Sequence, residues 1–189
     1  MGHGFHDLGE SIDAAEELDV VHADQRAAAV IERRAVHLDL LLDEDLGRHI
    51  AECLAEHDLP AKALELEVTE SALMTRQAQA LQILNALRAT GLSIAIDDFG
   101  TGYSSLAYLA RLPVNTLKVD QTFVRGMHDS RTNEQIVRSV IGLAHECQLS
   151  VVAEGVEDEA TFMSLYNMGC DLMQGYLVAR PMEADAATE

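Results

Sequence analysis

Basic residues are scarce in this chain: 13 lysines and arginines stand against 32 aspartates and glutamates, a formal net charge of −19. That balance excludes a large nucleic-acid footprint, which needs a basic face, so no DNA partner is expected. An anionic ligand fits only where metal ions or local cations neutralise its site. Cysteine is sparse too. Cys53, Cys147 and Cys170 are odd in number and widely spaced, which gives neither a zinc spacing nor a disulfide framework and leads us to expect a reducing, cytoplasmic compartment. No apolar run approaches the length of a membrane span. The opening Met-Gly-His-Gly-Phe-His has neither the basic nor the apolar region of a signal peptide. His3, His6, His22 and His37 are scattered without metal-ligand spacing and read as surface histidines.

What the chain does have is apolar content, 48% of its residues, so it is no disordered acidic tail. Its 189 residues suffice for one domain with a core. Residues 1–40 carry little local signal: 12–18 and 27–31 read as short helices, 19–22 and 36–38 as short strands. From Asp43 the pattern sharpens. Leu46, Ile50, Cys53 and Leu54 share one helical face, with Asp43 or Asp45 as its cap and Pro60 beyond its end. Residues 64–68 alternate with a strand's period of two, and Glu70 is expected in the loop that follows. A helix is expected over 75–90, stopped by Gly91. Further strands are expected at 92–97, 115–119, 149–154 and 171–175. Between them fall a helix through Leu106 and Leu109, one opened by a Thr132-x-x-Gln135 capping box, and one over 158–167 stopped by Gly169. Residues 183–189 read as a polar tail.

The most informative stretch is Asp97-Asp98-Phe99-Gly100-Thr101-Gly102-Tyr103-Ser104-Ser105-Leu106. A short apolar strand leads into it, two glycines turn the chain, and Ser104 and Ser105 can cap the next helix. Two adjacent carboxylates thus stand where a strand ends. They repel unless a cation or a proton lies between them, and hard divalent metals take such oxygen ligands. The plainer alternative is a turn cap. Asp98-Phe99-Gly100 matches a kinase metal motif, but no other kinase signature accompanies it. Gly100-x-Gly102-x-x-Ser105 lacks the third glycine of a dinucleotide fingerprint.

Strands alternating with helices indicate a parallel α/β fold. Each of the five convincing strands has a polar group at or near its C-terminal end: Glu67, Asp97 with Asp98, Lys118, Glu154 and Gln174. Each alone has a bland explanation. Glu67 and Glu70 read as helix-start acids, Lys118 as a surface lysine, Glu154 as turn chemistry, Gln174 as a backbone partner. Five together are what a barrel active site presents.

On these residues the sequence resembles the EAL domain family of cyclic-di-GMP phosphodiesterases. The carrying stretches are Leu64-Glu-Leu-Glu-Val-Thr-Glu-Ser71, Asp97 to Leu106, Leu117-Lys-Val-Asp120, Val151-Val-Ala-Glu-Gly-Val-Glu157, Gln174-Gly-Tyr-Leu177 and Arg180-Pro181. The resemblance runs from about residue 41 to residue 182, leaving 1–40 unassigned. It implies a modified TIM-type (β/α)8 barrel, here incomplete with five or six family-like strands, against about 250 residues for a typical closed barrel. It implies hydrolysis of cyclic-di-GMP to pGpG with Mg²⁺ or Mn²⁺, two ions about 4 Å apart activating water and clamping the displaced oxygens. Glu67, Asp97, Asp98 and Glu154 would be metal ligands, and Glu154 could instead be the general base. Lys118 would steady the attacking water or the developing charge, and Gln174 would orient the water. Glu70, Gly100, Thr101, Gly102, Ser104, Ser105, Asp120 and Glu157 would support the metal loop and couple it to a dimer interface. The partners so implied are cyclic-di-GMP, a second copy, and a sensory or GGDEF-type domain.

Two family features are not found. The Glu-Ala-Leu motif that names the family is absent. Counting back from Asp43, the position of the family's asparagine ligand falls near Ala35, with Asp39 the nearest polar substitute. Two ligands of the first metal are therefore expected to be missing. A degenerate module that binds cyclic-di-GMP or a partner domain without hydrolysis is the alternative reading.

Overall fold

The computed structural model describes residues 35–36, 45–101 and 106–180. The expectations for 1–34, Asp39, Asp43, Gly102, Ser104, Ser105, Pro181 and the 183–189 tail lie outside these residues. Among the described residues six strands form one sheet: β1 (Ala35–Val36), β2 (Glu65–Thr69), β3 (Ser93–Phe99), β4 (Thr116–Val119), β5 (Ser150–Ala153) and β6 (Leu172–Met173). Their spatial order is their chain order, and every neighbouring pair is parallel. Parallel neighbours need crossovers, which the intervening helices supply. Strands covered on both faces are apolar along their length: Val68, Ile94, Ile96, Leu117 and Val151 are all buried. Among the described residues β1 and β6 are the sheet edges.

The helices are α1 (Leu46–Glu56), α2 (Glu70–Thr75), α3 (Gln77–Ala89), α4 (Leu106–Leu109), α5 (Gln121–Arg125), α6 (Arg131–Glu146) and α7 (Glu159–Met168). Four differ from expectation at their ends. Asp45 stands at the start of α1 but does not cap it; its carboxylate meets the Arg48 guanidinium instead. Glu70 is not in a loop but opens α2, whose cap is Thr69 Oγ1 accepting from Ala72 N. The helix expected over 75–90 starts two residues later, at Gln77, with a break at Arg76 separating it from α2. There the Tyr108 hydroxyl lies 3.2 Å from the carbonyls of both Leu73, in the last turn of α2 where carbonyls lack helical partners, and Gln77, at the start of α3. The capping box at Thr132 is displaced by Ser130, which accepts from Asn133 N. The α7 ends are as expected: Asp158 accepts from Thr161 N at 2.8 Å, and Gly169 closes the helix in the left-handed region at φ 82°.

Leu84 on α3 is fully buried in the core. Leu84→Ala is expected to destabilise the chain by about 2–5 kcal/mol, whereas Gln82→Ala, on the exposed face of the same helix, should stay within about 0.5 kcal/mol. The midpoint of denaturant unfolding checks both.

Strand register sets the height of every polar group inside the sheet. At the N-terminal ends, Glu65 Oε2 accepts from Ser93 Oγ at 2.9 Å and from Thr116 Oγ1 at 3.1 Å, tying three strands together. Asn115 Oδ1 accepts from Ile94 N at 3.0 Å. With β2, β3 and β4 pinned there, residues two steps further along each strand come level near the opposite ends.

Candidate active site at the carboxyl ends of the strands

Side chains on a strand alternate between its faces. The pinned set Glu65, Ser93 and Thr116 therefore shares its face with Glu67, Ala95, Asp97 and Lys118. In the β4–β5–β6 register Lys118 pairs with Val152, and Val152 with Leu172. Continuing by two places Glu154 and Gln174 on the same face. Their backbones extend the ladders past the strand ends: Glu154 N donates to Val119 O and Gln174 N to Ala153 O.

Three of these carboxylates meet on one ammonium. Lys118 Nζ lies 2.6 Å from Glu154 Oε1, 2.8 Å from Glu67 Oε1 and 3.2 Å from Asp97 Oδ1. Glu67 is 4% and Lys118 3% exposed, so solvent screens this cluster little. Burial alone would depress the Lys118 ammonium, but the charges of Glu154, Glu67 and Asp97 outweigh it and hold it protonated well above its ordinary range. Glu154 is raised above the usual carboxylate range, chiefly by burial, with Lys118 offsetting part of the effect and Asp97 and Glu67 adding to it. Three carboxylates share one cation, and the excess charge is negative.

Strict alternation would send Asp98 to the other face. The chain avoids this with an irregularity: the β3–β4 register shifts between Ile96 and Phe99, and Asp98 adopts a left-handed conformation at φ 54°. Aspartate tolerates that region better than most residues. Asp98 consequently faces Asp97, Asp120 and Glu154. Its carboxyl is pushed up to about 6, first by burial, then by the charge of Asp97 and a hydrogen bond shared with Asp120. Asp120 also caps α5, accepting from Thr122 N at 2.9 Å and from the Thr122 hydroxyl. The turn is held from below by Glu70, 2% exposed, whose Oε2 accepts from Gly100 N at 3.0 Å. Thr101 Oγ1 donates to Asp98 O at 2.9 Å. Glu157 stands apart from the cluster, paired with Arg125 at the surface.

Asp98 and Glu154 both bind protons more tightly in the folded chain than in the unfolded one. Their contribution to stability is therefore present at low pH and is lost as pH rises through about 6 for Asp98. Thermal melts in chelator should show the midpoint falling between about pH 4 and pH 6, and Asp98→Asn should flatten that fall.

Four acidic side chains, Glu67, Asp97, Asp98 and Glu154, offer the hard oxygens that a divalent cation takes. The donor chemistry fits such an ion. Three of them, Glu67, Asp97 and Glu154, are nevertheless gathered on Lys118, and among the described residues no three acidic, histidine or cysteine groups stand around a common cation position. Ala35 pairs in register with Glu67, one strand over, and alanine brings no ligand oxygen there.

A model of the EAL domain matches residues 13–181 of the chain, most of its length. The chain belongs to the EAL domain family. That match begins well before Leu41, where the resemblance becomes legible by eye. The cyclic di-GMP phosphodiesterase NbdA of Pseudomonas aeruginosa is 46% identical over 150 residues, 77% of this chain and 19% of its own length. MucR of the same organism, a bifunctional diguanylate cyclase and cyclic di-GMP phosphodiesterase, is 44% identical over 136 residues, 72% of this chain and 20% of its own. The structure of the PaMucR phosphodiesterase in complex with c-di-GMP superposes with a TM-score of 0.79 at 40% identity, covering 82% of this chain and 62% of that one. The manganese/cy-diGMP complex of Klebsiella pneumoniae BlrP1 does so at 0.72 and 36%, covering 79% of this chain and 38% of that one. The chain spans about a fifth of the length of such curated relatives as NbdA and MucR. These EAL neighbours have the TIM-type barrel fold, of which the six-stranded parallel sheet is a part. No described helix is long and apolar enough to cross a membrane.

One residue at the strand ends escapes a reading by chemistry. A Cβ on Gly175 would lie 2.3 Å from both the N and the O of Val156. Its signal in the sequence is a glycine directly after a polar strand-end residue, repeated at Glu154-Gly155.

Proposed function

We propose that this domain hydrolyses one phosphodiester of cyclic-di-GMP to give pGpG, with Mg²⁺ or Mn²⁺ as cofactor. The observation that carries the reading is the meeting of Glu67, Asp97 and Glu154 on Lys118, from four adjacent strands at the carboxyl end of a parallel sheet. Glu67, Asp97, Asp98 and Glu154 would hold the cation. When bound, it supplies Lewis-acid polarisation of the phosphoryl oxygens, a more acidic water, and positive charge against the dianionic substrate. Where Glu154 serves as general base instead of ligand, it takes the proton of the attacking water as oxygen adds to phosphorus; the bond to the ribose oxygen breaks, and that oxygen takes up a proton from solvent. Lys118 steadies the negative charge that develops. Gln174 orients the water, and Glu70 fixes the turn that carries Asp98. A second copy docking beside that turn, and a sensory or diguanylate-cyclase-type domain as in MucR, complete the proposal.

A second reading rests on Ala35, which stands beside Glu67 where the family resemblance expects an asparagine ligand. On this reading the domain binds cyclic-di-GMP and does not hydrolyse it. Calorimetric titration of cyclic-di-GMP into the chain in Mn²⁺, with chromatography of the same sample, separates the two. Binding with pGpG supports the enzyme, binding without pGpG the module, and no binding by the folded chain contradicts both.

A further inference from the structure

The site contains a cation of its own. Lys118 Nζ touches one oxygen each of Glu67, Asp97 and Glu154 within 3.2 Å, and the lysine is nearly inaccessible to solvent. Those oxygens belong to three of the four acids that would ligate a divalent ion. An oxygen engaged by an ammonium and the same oxygen bonded to a metal are competing states. Two cations placed among the same oxygens also repel.

We propose that Lys118 is the resident counter-cation of the metal-free site: it holds Glu67, Asp97 and Glu154 together until a divalent ion arrives, and loading requires the ammonium to give up contacts with them. The inference rests on the divalent-metal reading above and adds the mechanism by which the site stays assembled without metal. Three carboxylates this close, one buried and two half-buried, would repel one another apart with no cation among them. With Lys118 among them they remain clustered at the strand ends, at the cost of weaker metal affinity. Once displaced, the ammonium is left beside the ions, near the water and phosphate it would serve in the reaction. Lys118 is thus a positioning residue for metal before it is a participant in hydrolysis.

The test uses the full chain and reads binding rather than turnover. Lys118→Met keeps an unbranched side chain and removes the charge. Free Mn²⁺ measured by electron paramagnetic resonance should show the variant binding Mn²⁺ at least tenfold more tightly than the parent. Its thermal midpoint in chelator should be lower, and its gain on adding Mn²⁺ larger. A lysine with a merely structural role would not raise metal affinity on removal.

A second measurement needs no variant, in case Lys118→Met does not fold. The chain has two lysines, Lys62 and Lys118, and Lys62 is exposed. With ¹⁵N-lysine labelling, titration with diamagnetic Mg²⁺ should move the Lys118 ammonium resonance along the calorimetric binding curve and leave that of Lys62 in place. Mg²⁺ binding with an unmoved Lys118 resonance, or a folded variant that binds Mn²⁺ no more tightly, overturns this inference alone. No divalent binding by the parent chain overturns the metal reading and this inference with it.

Discussion

Asp97→Asn is expected to lower kcat/KM for metal-dependent hydrolysis of cyclic-di-GMP by about 10³-fold or more, a loss of about 4 kcal/mol of transition-state stabilisation. The substitution is nearly isosteric. The amide oxygen can still accept from Asp98 N, as Asp97 Oδ1 does at 3.0 Å, so the left-handed turn at Asp98 is kept. What disappears is one negative charge 3.2 Å from Lys118 Nζ, and with it a ligand. The fold should not suffer. Three carboxylates surround a single ammonium, so neutralising one relieves repulsion, and the melting midpoint in chelator should hold steady or rise. Loss of activity with unchanged or increased stability separates a site residue from a core residue. Activity within tenfold of the parent would contradict the assignment of Asp97.

Gly175→Ala is expected to be the most damaging small substitution among the described residues, destabilising the chain by at least about 3 kcal/mol. The new Cβ would fall 2.3 Å from two backbone atoms of Val156, and Gly175 sits at φ 155°. Neither segment is free to move: Val156 N donates to Gln174 O, and Leu177 N to Val156 O, both at 3.0 Å. The clash is backbone against backbone, so no rotamer change relieves it. Gln174 would be displaced with its neighbour, so activity should fall together with stability. Gly142→Ala, in the middle of α6 with nothing within 4 Å of the added methyl, should instead stabilise by about 0.5–1 kcal/mol. Denaturant midpoints for the pair test the argument. Wild-type stability in Gly175→Ala would contradict the close approach of the two strand ends.

Much of this arrangement is legible from one sequence because a parallel sheet writes itself in apolar runs, and each run here ends in a polar residue. Glu67, Asp97, Lys118, Glu154 and Gln174 could each be placed at a strand end from local pattern alone. Their common face could not. It depends on registers such as Glu67 with Ala95 and Lys118 with Val152, and register is a property of strand pairs. The Asp98 turn was half legible: the glycines announce a turn, but the left-handed aspartate and its bond to Asp120 depend on a bulge against β4. Helix ends misled where a competing partner was out of sight. Asp45 is drawn to Arg48, Ser130 takes the cap assigned to Thr132, and Tyr108, more than 30 positions away in sequence, ties off the break at Arg76. The six-strand order puts Ala35 beside Glu67, at the position to which counting back from Asp43 leads. Whether four carboxylates and a lysine suffice without the asparagine is a question of turnover.

That question has a direct answer. The purified chain is incubated with cyclic-di-GMP and Mg²⁺ or Mn²⁺, and pGpG is followed by chromatography, with a chelator-treated sample alongside. The account predicts metal-dependent accumulation of pGpG that chelator abolishes. A folded chain that produces no pGpG with either metal would contradict it.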